Sequence, residues 1–63
     1  MSEVLYEKET IFKTYRVVSS GIGKYRIYTL SHYDGEIQEM RNKYGPIVFY
    51  DLDTAKRFVD KLL

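Results

Sequence analysis

The run Asp51-Leu-Asp-Thr-Ala-Lys-Arg-Phe-Val-Asp-Lys-Leu-Leu63 constrains this chain more than any other segment. Leu52, Ala55, Phe58, Val59, Leu62 and Leu63 recur at helical spacing and form one apolar stripe. Asp53, Lys56, Arg57, Asp60 and Lys61 fill the opposite face. Asp51 is placed to cap the first turn, its carboxylate accepting from backbone N–H groups that have no partner inside the helix. The spacing predicts a helix over 52–63. Ile47-Val48-Phe49-Tyr50, just before it, reads as an extended lead-in. A helix with one apolar side needs a surface to lie on, and the residues upstream have the pattern of a sheet.

Sixty-three residues make one small domain, 1–63. A domain of this size buries only about 60% of its unfolded surface, so stability is marginal. Disulfides cannot supplement it, because the chain has no cysteine, and thiolate metal sites are excluded for the same reason. One histidine cannot hold zinc without several converging carboxylates, and no cofactor is implied. Seven tyrosines and three phenylalanines offer packing area instead. No apolar run reaches the roughly 20 residues of a membrane span, and the start of the chain lacks the basic and apolar regions of a secretion signal. A cytoplasmic protein is expected. Ten basic and nine acidic side chains give a net charge of +1, so nucleic-acid binding would need a local basic patch.

Along the chain, residues 1–9 are charged around Val4, Leu5 and Tyr6, and read as a frayed arm or a short edge strand. Thr10 to Ser19 is rich in β-branched and aromatic residues and predicts a strand. Ser20-Gly21-Ile22-Gly23 supplies turn chemistry. Lys24 to Tyr33 is the clearest strand, with Tyr25, Ile27 and Thr29 on one face and Lys24, Arg26, Tyr28 and Leu30 on the other. Asp34-Gly35 predicts a type I′ turn with positive φ at both positions. Glu36 to Asn42 then returns as a third strand, broken by Gly45-Pro46. The expected fold is α+β: a three-stranded antiparallel β-meander with one C-terminal amphipathic helix packed on one face. Tyr15, Val17, Ile27 and Ile37 are expected on the helix-bearing face.

Catalytic signatures are weak. Gly21-Ile-Gly23-Lys24 lacks the length, the Ser/Thr and the following helix of a phosphate-binding loop. Ser31, His32 and Asp34 hold the atoms of a hydrolytic triad but lie too close along one turn to converge. No enzyme, and no small-molecule substrate, is expected. The outer sheet face is more pointed. Arg16, Lys24, Arg26 and Tyr28 share one parity, with Lys13 and Arg41 at its margins. Arginines on a small sheet suit a DNA groove, where they bond guanine edges. A solvated face of mixed charge, diluted by Glu36 and Glu39, is the plainer alternative.

Tyr15-Arg16-Val17-Val18, Gly23-Lys24-Tyr25, Gly45, Phe49 and Asp53-Thr54-Ala55 fall in an order that resembles the ethylene-response-factor type DNA-binding domain, relatives of which occur in phage and mobile-element integrases and homing endonucleases. The likeness spans roughly residues 15 to 60. It implies a three-stranded sheet, a C-terminal helix and DNA read by the open sheet face. Tyr25 stands where that family usually has tryptophan, and the family is more basic. The resemblance implies DNA contacts by Arg16, Lys24 and Arg26. Lys13, Lys24 and Lys43 are expected to hold phosphates while Arg16 and Arg26 read base edges. The competing expectation is a protein-interaction module or small regulator without membrane attachment, such as a homodimer formed through the third-strand edge or through Phe12, Tyr28 and Leu30.

Overall fold

The computed structural model describes residues 3–63. It is α+β: an antiparallel meander with one C-terminal helix packed against it. The strands are β1 (Val4–Glu9), β2 (Lys13–Gly21), β3 (Lys24–Ser31) and β4 (Ile37–Glu39), in spatial order β1-β2-β3-β4. The charged N-terminal segment is thus an edge strand, which adds a fourth to the expected three. Its pairing with β2 is interrupted by a bulge between Val4 and Tyr6. The described residues begin at 3, so the first two positions of the expected arm lie outside them.

After β4 the chain leaves the sheet. A ribbon of β5 (Arg41–Asn42) and β6 (Gly45–Pro46) turns back on itself, and β7 (Val48–Phe49) rejoins the same side of β3. Two hydrogen bonds fix the excursion: Met40 N–H donates to the Ile27 carbonyl at 2.8 Å, and Ile47 N–H donates to the Met40 carbonyl at 3.1 Å. Asn42 closes the ribbon, its Oδ1 accepting from Tyr44 N–H at 2.8 Å. The expected third strand over 36–42 is therefore only Ile37–Glu39, because Arg41 and Asn42 pair within the ribbon instead.

Two turns differ from expectation. Thr10 does not begin β2. Its N–H donates to the Lys13 carbonyl at 2.8 Å and its hydroxyl accepts from Lys13 N–H at 3.1 Å, making a tight β1–β2 turn. The β3–β4 connection is not a type I′ turn either. Ser31 N–H donates to Glu36 and Gly35 N–H donates to Ser31, so the loop runs over 32–35. Only Gly35 has positive φ, at 75°, while Asp34 does not. Asp34 instead accepts from Glu36 N–H at 2.9 Å, which holds its carboxyl below the ordinary aspartate value.

The helix α1 (Leu52–Leu62) is capped as predicted, with the Asp51 carboxylate accepting from Thr54 N–H at 3.0 Å and from the Thr54 hydroxyl at 2.9 Å. Its apolar stripe meets the sheet face of Val17 and Ile27, and these two with Ala55 and Val59 form the buried core. Tyr6, Tyr15, Tyr25, Met40, Phe49, Leu52 and Phe58 pack around them, with the Phe49 and Phe58 ring centroids 5.2 Å apart. Tyr6 ties β1 to the helix: its hydroxyl donates to Asp60 at 2.7 Å, and the ammonium groups of Lys8 and Lys56 lie 5.5 and 5.4 Å from its ring centroid. One core assignment is corrected. Ile37 pairs with Leu30, so it lies on the open face, 62% exposed, and not beside Ile27.

Candidate functional site

Strand register decides which predicted residues meet. Arg16 pairs with Tyr28, and Val18 pairs with Arg26, so both arginines and the tyrosine project from the face opposite the helix. Lys24 belongs to the same alternating set of β3 and is exposed. Four of the seven predicted positions therefore share one open face.

The other three do not. Lys13 has the parity of Tyr15 and Val17 and lies on the helix side, beyond the end of α1. Arg41 sits at the start of the ribbon and borders the same hollow as Lys13. Lys43 is at the ribbon's tip, its ammonium 5.1 Å from the Tyr44 ring centroid. An odd-numbered position in β2 cannot join an even-numbered face, and the ribbon carries Arg41 and Lys43 away from the sheet.

The open face carries a row of mixed charge. Across β1, β2, β3 and β4 run Glu7, Arg16, Tyr28 and Glu39 in direct register. Arg16 Nε lies 3.5 Å from Glu7 and Arg26 Nη1 lies 3.1 Å from Glu39. The two arginine side chains are 35% and 38% exposed, so each pair contributes at most about 1 kcal/mol. The Nε atoms of both arginines are buried and have no hydrogen-bond partner among the described residues. The third-strand acid expected to dilute the positive field is present, and Glu7 from the edge strand, unforeseen in the sequence, adds to it.

A second feature lies at one end of the sheet, where the β1–β2 turn meets the β3–β4 loop. His32 N–H donates to the Phe12 carbonyl at 2.9 Å. His32 Nδ1 lies 3.2 Å from the Ile11 carbonyl, which can only accept, so Nδ1 carries the proton. In the neutral ring Nε2 then accepts from the Thr14 hydroxyl at 2.7 Å. With both nitrogens used this way, His32 fastens two loops together and does not join Ser31 and Asp34 in a triad. The loops leave Ile11, Phe12 and Tyr33 exposed at 88%, 77% and 97%.

Among the described residues no group of His, Cys, Asp or Glu is placed to hold a metal ion, and no helix is long and apolar enough to cross a membrane. Compared with known proteins, the chain matches no family model, no curated protein and no solved structure.

Proposed function

We propose that this chain is a non-enzymatic DNA-binding module that presents its open sheet face to duplex DNA. One observation carries the reading: Arg16, Lys24, Arg26 and Tyr28 come together on the sheet face that the helix leaves free. The backing helix stiffens the sheet, and a narrow antiparallel sheet fits the major groove. The ion pairs to Glu7 and Glu39 are weak enough to exchange for phosphate or guanine, since a bidentate arginine–guanine contact is worth about 1–3 kcal/mol. The acids make the binding weak. If Arg16, Lys24 and Arg26 each neutralise one phosphate, the slope of log affinity against log salt is about −2.7, and it is shallower by about 0.9 for each arginine that reads a base instead.

The test is an NMR titration with a mixed-sequence duplex at low and moderate salt. Shifts at Arg16, Lys24, Arg26 and Tyr28 that fade with salt support the reading, as would tighter binding by Glu7→Gln with Glu39→Gln. Absence of shifts at both salts, or unchanged affinity in Arg16→Ala with Arg26→Ala, sinks it. A second reading, self-association, is favoured by the exposed Ile11, Phe12 and Tyr33. A strict monomer in sedimentation at high concentration removes that alternative.

A further inference from the structure

The helix covers only part of its sheet face. Its core contacts are with Val17, Ile27 and Phe49, and the next cross-strand row, Tyr15–Thr29–Gln38, is left as the floor of a hollow of about 410 Å³. Leu62 of α1 closes one side, and Met40 with Arg41 closes another where the chain leaves the sheet. Lys13 stands at the rim.

The lining itself is mainly cationic, while Asp34 and Glu36 lie in an adjoining hollow that shares Lys13, Thr29 and Gln38. Lys13 and Arg41 have no ion-pair partner among the described residues. The Tyr15 hydroxyl makes no hydrogen bond to a described residue, although the ring packs against the core. The lone carboxylate in the lining, Glu39, is turned to Arg26 on the opposite face at 3.1 Å. Gln38 donates to Glu36, and Thr29 donates to the Gln38 carbonyl. The free polar groups are thus two cations, the Tyr15 hydroxyl and the Gln38 side-chain amide oxygen, while Tyr15, Met40 and Leu62 supply apolar surface.

We propose that this hollow binds a small carboxylate with an apolar body. Lys13 and Arg41 hold the carboxylate through charge-assisted hydrogen bonds, Tyr15 donates a third, and the body lies against Met40 and Leu62. The volume falls within the roughly 300–1,000 Å³ of small-molecule sites. This site is on the opposite side of the sheet from the DNA-binding face and does not depend on that reading.

The experiment is an NMR titration of the whole chain with sodium benzoate at constant ionic strength, with neutral benzamide as a parallel arm. Benzoate should give saturable shifts at Lys13, Tyr15, Gln38, Met40, Arg41 and Leu62, and benzamide should not. Lys13→Met with Arg41→Gln, two exposed positions, should lower benzoate affinity at least about tenfold while leaving the melting temperature unchanged. Shifts that grow without saturating, equal binding of benzamide, or undiminished affinity in the double variant would each overturn the assignment. A double variant that loses stability without affecting benzoate also overturns it, since the two cations would then serve only the C-terminal end of the helix.

Discussion

Truncating Ile27 tests the placement of the core directly. The side chain is fully buried between β2 and the helix, whereas Ile37 is 62% exposed on the other face. Ile27→Ala removes three carbons, worth about 2.4 kcal/mol at ~0.8 kcal/mol per methylene. A residual cavity of up to ~80 Å³ adds as much as ~2 kcal/mol at 24 cal/mol per Å³. The sum, about 2.5–4.5 kcal/mol, rivals the roughly 3–5 kcal/mol available to a single core of this size. Ile27→Ala should therefore be largely unfolded at 25 °C. Ile27→Val, costing about 0.5–1.5 kcal/mol, should stay folded and remain measurable. Ile37→Ala should cost less than about 1 kcal/mol, because most of its surface already faces water. Urea denaturation followed by circular dichroism gives all three values, with a slope near 1 kcal/mol per molar expected for so small a domain. If Ile37→Ala destabilises more than Ile27→Val, the sheet faces are inverted and every residue assigned to the open face moves with them.

Three further outcomes follow from local geometry. The Thr54 hydroxyl and then its N–H hold the Asp51 carboxyl below the ordinary aspartate range, so the cap's full contribution is present above the unfolded value of about 3.9 and is lost as pH falls through the lower folded value; Asp51→Asn should flatten that part of the acid melting profile. The hydrogen bond to Asp60, then burial, raises the Tyr6 phenol, so its contribution is complete below about pH 10 and is lost as pH rises through the folded value; ultraviolet titration should show one tyrosine ionising late, and Tyr6→Phe should remove it. Gly35 has φ 75° with open space around its missing side chain, so Gly35→Ala should cost about 1 kcal/mol of backbone strain and Gly35→Asn clearly less, as thermal melts will show.

The helix was legible in the sequence because stripe, cap and polar face all specify one element, and β2 and β3 were legible because their alternation is long and clean. This is why the positions of Arg16, Lys24, Arg26 and Tyr28 on one face followed from parity alone. Ile37 was misplaced on apolarity, which says that a side chain prefers burial but not which face it reaches. The loop over 32–35 pairs Ile37 with Leu30, and no residue type overrides that parity. The ribbon was legible only as a break at Gly45-Pro46. Its closing signal was Asn42 two residues before Tyr44, a side chain that caps its own turn. Missing it left Arg41 and Lys43 near a face they do not touch. Lys13, expected at the margin of that face, has an odd position in β2 and therefore lies on the helix side.

The ribbon also governs what the sheet offers to other chains as it emerges from synthesis or crowds in solution. An extended peptide adds to a sheet by running its backbone along an unbroken margin of free N–H and carbonyl groups. Here one margin is cut into Ile37–Glu39 and Val48–Phe49 by the excursion of residues 40–47, and the other carries a bulge at Val4–Tyr6 followed by Glu7, Lys8 and Glu9. Neither presents the six or seven flat, uncharged residues that cross-β growth requires. A chain with margins broken in this way offers its neighbours little template for strand addition.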